Sequence, residues 1–137
     1  QAHQRAWPDV EVVLELDGGP LPPLRADAQE LEHTLLEVLT NAKEAVAAMG
    51  GLVTLAAGAR DGGVVVEVRD AGPGILAARR AWVFEPFATT RTPAEGRGLG
   101  LTVARLLAER AGGTLTAEEP VEGIGARLVL SLPGAAR

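Results

Sequence analysis

Apolar and polar positions alternate along VEVVLEL, Val10–Leu16, as they do in a half-buried strand, and the DGGPLPPL stretch that follows is a Gly/Pro loop. The period then changes. From Asp27 the residues Leu31, Leu35, Val38, Leu39, Ala42, Ala45, Val46 and Met49 form one apolar stripe at helical spacing, which Gly50 and Gly51 stop. This predicts a helix over 27–49. LVTLAAGA (52–59) and GVVVEVRD (63–70) read as two strands joined by a turn at 60–63, followed by a short helical stretch at 76–83 and an irregular segment at 84–98. A second helix is expected over about 99–110, ended by Gly112 and Gly113. TLTAEE and ARLVLSL then form a terminal strand pair around a turn at 120–125. Adjacent strands with helices between them predict a two-layer α/β sandwich, its mixed and mostly antiparallel sheet covered by helices on one face.

The end of the third strand breaks its own pattern. Val64, Val66, Val68 and Asp70 fall on one face by period-two alternation, so Asp70 points where valines point. A carboxylate there is costly unless something hydrogen-bonds it, and the nearby glycines of VRDAGPGI (68–75) allow a backbone to come close. On the first helix Glu37 and Asn41 are four apart and share a side, placed by the stripe roughly opposite the apolar face. GRGLGL (96–101) sets three glycines at alternate positions before a helix, where backbone N–H groups and the positive dipole end favour phosphate. It lacks the Gly-Lys-Ser/Thr ending of a Walker loop and the spacing of a dinucleotide fingerprint. GIGARL (123–128) reads as a hairpin turn.

Composition narrows the class. At 137 residues the chain is expected to be a single domain, with a tail at about 1–8, burying roughly two-thirds of its unfolded surface. A net charge of -5 without a basic run argues against a nucleic-acid partner. The absence of cysteine excludes disulfides and thiolate metal sites, and the apolar runs are too short to span a bilayer, so no direct membrane contact is expected. Met49 is the only methionine and the chain begins at Gln1, so a longer parent protein is expected.

The motifs gain meaning from their order. LEVLTNAKEA (36–45) resembles the N box, VRDAGPGI the first glycine box and VFEPFATTR (83–91) the F box of the catalytic ATP-binding domain of histidine kinases. That domain sits within the gyrase, chaperone, kinase and mismatch-repair ATPase superfamily. GRGLGLTVARLLAERAGG (96–113) resembles the second glycine box with its helix, and GIGARLVLSLP (123–133) a worn last glycine motif. The resemblance runs from about residue 10 to 133 and implies a sandwich of the Bergerat type. It implies that Asp70 accepts a hydrogen bond from the adenine amino group, with Gly72, Gly74 and Ile75 beside the base. Asn41 is then similar to the magnesium ligand, and Lys43, Arg91 and Arg97 are candidates for the phosphate tail. The lid, about 84–98, is anchored by Phe84 and Phe87, with Thr89 and Thr90 facing nucleotide, and is expected to order when nucleotide binds. Gly96, Gly98, Leu99, Gly100 and Leu101 form its phosphate-cradling end.

The same resemblance implies a sensor kinase that uses ATP and Mg2+ to phosphorylate a histidine on a dimerisation segment of its own or a partner chain. A response regulator follows downstream, and the location is cytoplasmic, whether free or as the inner part of a membrane-bound sensor. Neither His3 nor His33 is followed by an acidic residue in the manner of the acceptor. Three positions depart from the family pattern. Glu37 stands where many members carry asparagine, Glu44 stands where a basic residue is frequent, and Ala126 replaces a common threonine. Glu37 with Asn41 is similar to the ATP-hydrolysing branches too, so a hydrolase in which Glu37 activates water remains an alternative. An anti-sigma-factor-type serine kinase and a purely regulatory nucleotide-binding module are the others.

Overall fold

The computed structural model describes residues 10–16, 21–24, 26–47, 51–85 and 100–134. Five strands, β1 (Val10–Leu16), β2 (Gly51–Arg60), β3 (Gly63–Asp70), β4 (Thr114–Glu118) and β5 (Ala126–Leu132), form one sheet in the order β1-β2-β3-β5-β4. β1 runs parallel to β2, and every other pair is antiparallel. Parallel neighbours need a long crossover, which helix α1 (Ala28–Val46) provides. β2 and β3 need only Asp61 and Gly62, whose φ values of 53° and 82° make the two-residue turn that matches strand twist.

α1 begins where Asp27 accepts hydrogen bonds from the backbone N–H groups of Gln29 (2.9 Å) and Glu30 (3.1 Å). Its buried residues are Thr34, Val38, Ala42, Lys43 and Val46, whereas Leu31, Leu35 and Leu39 are only partly buried against the core. Val38, Ala42 and Val46 of the expected stripe are thus buried most deeply, and Thr34 joins them at its edge. The Thr34 hydroxyl enters the interior because it donates to the Glu30 carbonyl at 2.9 Å. Helix α2 (Gly100–Arg110) lies antiparallel to α1: Arg110 at its end pairs with Glu30 at 3.2 Å, and Gly100 at its start abuts Glu37. It stops at Gly112, φ 86°, with Gly113 N–H bonded to Ala108 O and Gly112 N–H to Glu109 O, each at 2.9 Å.

Both helices cover one sheet face. Val64, Val66 and Val68 of β3 and Leu128, Leu130 and Leu132 of β5 are buried beneath Val38, Ala42, Val46, Ala104 and Ala108. On the open face Arg69 pairs with Glu15 at 2.8 Å, and Arg127 holds Glu67 by two bonds of 3.0 and 3.2 Å, which keeps the Glu67 carboxyl below its usual range. The expected helix at 76–83 is instead two single 3-10 turns, Ala77–Arg79 and Trp82–Phe84. Neither has a capping side chain, and Glu85 before Pro86 is extended, so the stretch is too short to nucleate an α-helix.

Candidate nucleotide-binding site

The aspartate that interrupts the valine register is buried, at 6% exposure. Asp70 ends β3 between Val53 of β2 and Ala126 of β5. Its Oδ1 accepts from Gly72 N–H at 2.9 Å and from Ala126 N–H at 3.3 Å, and neither bond uses Oδ2. Burial raises the Asp70 pKa, and the two N–H donors oppose that rise. Three glycines let backbones converge here. A Cβ on Gly72 would lie 2.8 Å from the Ala45 carbonyl of α1, and one on Gly74, φ 84°, would lie 2.9 Å from the Gly125 carbonyl. Gly125, φ 70°, passes so close to the Asp70 carbonyl that no side chain fits.

Ala45 is also the start of a second line of sight. Glu37, Asn41 and Ala45 are spaced four apart and form one ridge along α1. Ala45 meets Gly72 beside Asp70, and Glu37 meets Gly100 at the start of α2. These contacts are eight residues apart, about 12 Å at about 1.5 Å per residue. Half-buried Asn41 stands between them. The pair, expected roughly opposite the apolar stripe, lies on its flank toward α2, because Thr34 extends the buried row of Val38, Ala42 and Val46 to that side. Glu37 Oε2 lies 3.7 Å from Nε2 of exposed His33, beyond hydrogen-bonding distance.

Other expected site residues divide clearly. Ile75 and Leu101 are partly buried and pack against the core. Phe84 is buried, its carbonyl accepts from the Thr102 hydroxyl at 2.7 Å, and the Arg105 guanidinium lies 5.4 Å from its ring centre. The F-box start is thereby fixed to α2, a contact that neither Thr102 nor Arg105 signals in the sequence. Lys43 is 7% exposed and burial lowers its pKa; two residues beyond Asn41, it does not share the ridge. Phe87, Thr89, Thr90, Arg91, Gly96, Arg97, Gly98 and Leu99 lie outside the described residues, as does His3. Gly125 was legible only as a turn glycine; its partner, Asp70, is 55 residues earlier. Among the described residues no three His, Cys, Asp or Glu side chains form a metal-holding group, and no helix is long and apolar enough to cross a membrane.

A buried acceptor carboxylate where glycines let three backbones converge, on a two-layer sandwich with one covered sheet face, is an arrangement that suits a ligand with a hydrogen-bond donor. Residues 26–136 match the family described as histidine kinase-, DNA gyrase B-, and HSP90-like ATPase, and the chain belongs to it. It is similar to the sensor histidine kinase ZraS of Escherichia coli O157:H7, 39% identical over 113 residues, which are 82% of this chain and 24% of that protein. The mycobacterial sensor histidine kinase MprB has the same fold, with a TM-score of 0.81 and 27% identity over 99% of this chain and 89% of the other. Full-length ShkA, solved with AMPPNP, gives 0.79 and 31% over 98% of this chain and 28% of its own. The chain is an ATP-binding catalytic domain of the sensor histidine kinase type. It spans 13% to 24% of the length of the curated relatives it matches.

Proposed function

We propose that this domain binds Mg-ATP and transfers the γ-phosphoryl group to a histidine on a dimerisation segment beyond residues 1–137, from which a response regulator takes it. The observation that supports this reading is the α1 ridge. Buried Asp70 lies beside the Ala45 end, half-buried Asn41 in the middle, and Glu37 at the other end, about 12 Å along the helix from Ala45, so an acceptor carboxylate, an amide oxygen and a second carboxylate follow one another in that order. Asp70 Oδ2 accepts from the adenine amino group in an otherwise apolar slot, with Ile75 beside the base. Asn41 offers one hard oxygen, which fits a magnesium ion that keeps waters and phosphate oxygens as its other ligands. A magnesium ion held there would supply charge neutralisation for the phosphates. Arg91 and Arg97, with Gly96 and Gly98, are assigned to the phosphate tail, and buried Lys43, which faces away from the ridge, is not. Glu37 orients the attacking imidazole or accepts the proton it loses, as the new N–P bond forms and the bond to the β-phosphate oxygen breaks, releasing ADP. ATP as donor assigns the reaction to the cytoplasm.

Calorimetry with ADP and magnesium tests the adenine contact: Asp70→Ala should weaken binding by about 1 to 3 kcal/mol, and equal affinity removes Asp70 from the site. The transfer itself is tested with the parent protein's histidine-bearing segment and labelled ATP. An acid-labile label on that segment is expected, with none on His3 or His33. Fast hydrolysis that Glu37→Gln abolishes, with no labelled segment, overturns the kinase in favour of a hydrolase.

A further inference from the structure

Gly100 holds a position that a phosphate cradle alone does not explain. It is the first residue of α2, it is not among the glycines with positive φ, and its backbone is one that alanine adopts without strain. What fills the space of its absent side chain is Glu37: a methyl carbon there would collide with Oε1 and lie 3.4 Å from Cδ. Among the described residues, and apart from its chain neighbours and the backbone of its own helix, no other heavy atom comes so near. The opposite oxygen, Oε2, faces His33. The carboxylate is thus set between an imidazole on its own helix and the opening turn of α2, whose dipole favours a negative charge.

We propose that Gly100 is a positioning residue for Glu37: the missing Cβ seats the carboxylate against the start of α2. This rests on the role given above to Glu37. Because the atoms in the way are the tip of a flexible side chain, an added methyl moves Glu37 rather than the backbone. α2 is also the helix to which the F-box start is fixed through Thr102 and Phe84, so the seat ties the Glu37 carboxylate to the element that holds that segment. The substitution therefore separates two uses of one glycine. A cradle for phosphate acts on nucleotide affinity, whereas a seat for Glu37 acts on turnover.

The test is a double-mutant cycle on this chain, with ATP turnover measured as hydrolysis and as transfer to the supplied histidine segment, and ADP affinity by calorimetry. Gly100→Ala should lower kcat by about 10- to 100-fold while ADP affinity stays within about two-fold and the melting temperature does not fall. In a Glu37→Gln background, where the acceptor is already lost, Gly100→Ala should lower kcat no further. The inference is overturned if Gly100→Ala weakens ADP equally in both backgrounds, lowers kcat equally in both, or reduces the melting temperature. Failure of the underlying reading looks different: the wild-type chain then binds no ADP, or Glu37→Gln leaves turnover unchanged.

Discussion

Asp70 keeps an ionisable group at 6% exposure with both backbone donors on one oxygen, so its environment suits a ligand better than it suits the empty fold. Folding raises its pKa above the ordinary 3.8. A carboxyl shifted that way holds its proton more tightly when folded, so it lowers stability as pH climbs from 3.8 through the raised value, and the deficit persists above it. Asp70→Asn removes the charge and keeps an oxygen for Gly72 and Ala126. In urea denaturation at pH 7 that variant should be at least as stable as the wild type, with the gap closing as pH falls toward 3.8. Its ADP affinity should fall, because the amide presents N–H to the adenine amino group. A loss of more than about 2 kcal/mol of stability at pH 7 contradicts a destabilising charge. The inward direction of Asp70 is legible from the valine register alone. Its Gly72 donor, two residues on, is local, but its Ala126 donor is not legible, being 56 residues away.

Elements meet here through glycines whose reasons differ, and that difference is measurable. Gly123 and Gly125 both have positive φ, 72° and 70°, in the turn before β5. A side chain at Gly123 meets nothing, whereas one at Gly125 runs into the Asp70 carbonyl, a backbone atom that cannot swing aside. Gly123→Ala should therefore cost only the left-handed penalty of about 1 kcal/mol. Gly125→Ala should cost well over about 2 kcal/mol or prevent folding. Chemical denaturation of the two variants decides it, and equal losses refute the close approach as the reason for Gly125. The bounds of β1, β3 and β5 and the start of α1 at Asp27 are readable from periodicity and capping chemistry, because those signals are local. The 3-10 turns at 77–79 and 82–84 show the limit of that reading: apolar spacing permits a helix there, but length and the extended residue before Pro86 forbid one.

At the scale of the molecule the two ends of the α1 ridge respond to different parts of one ligand. A ligand bound only by the folded state raises stability by about 2.7 kcal/mol at a hundred times its dissociation constant, so thermal melts report both ends. The shift produced by ADP with magnesium should shrink when the metal is chelated. The smaller shift produced by adenosine should not change, since Asp70 needs no ion. An ADP shift insensitive to chelation removes Asn41 as a metal ligand. The sequence by itself determined the α/β layering, the inward carboxylate at Asp70 and the order of the motifs, because each rests on neighbours within a few positions of the chain. Only the tertiary structure decided that β1 pairs parallel to β2, that α1 turns Thr34 inward and brings Asn41 to its flank, and that Glu37 is seated against Gly100. Those contacts join residues tens of positions apart, and packing volume and backbone clearance, which have no period along a chain, select them.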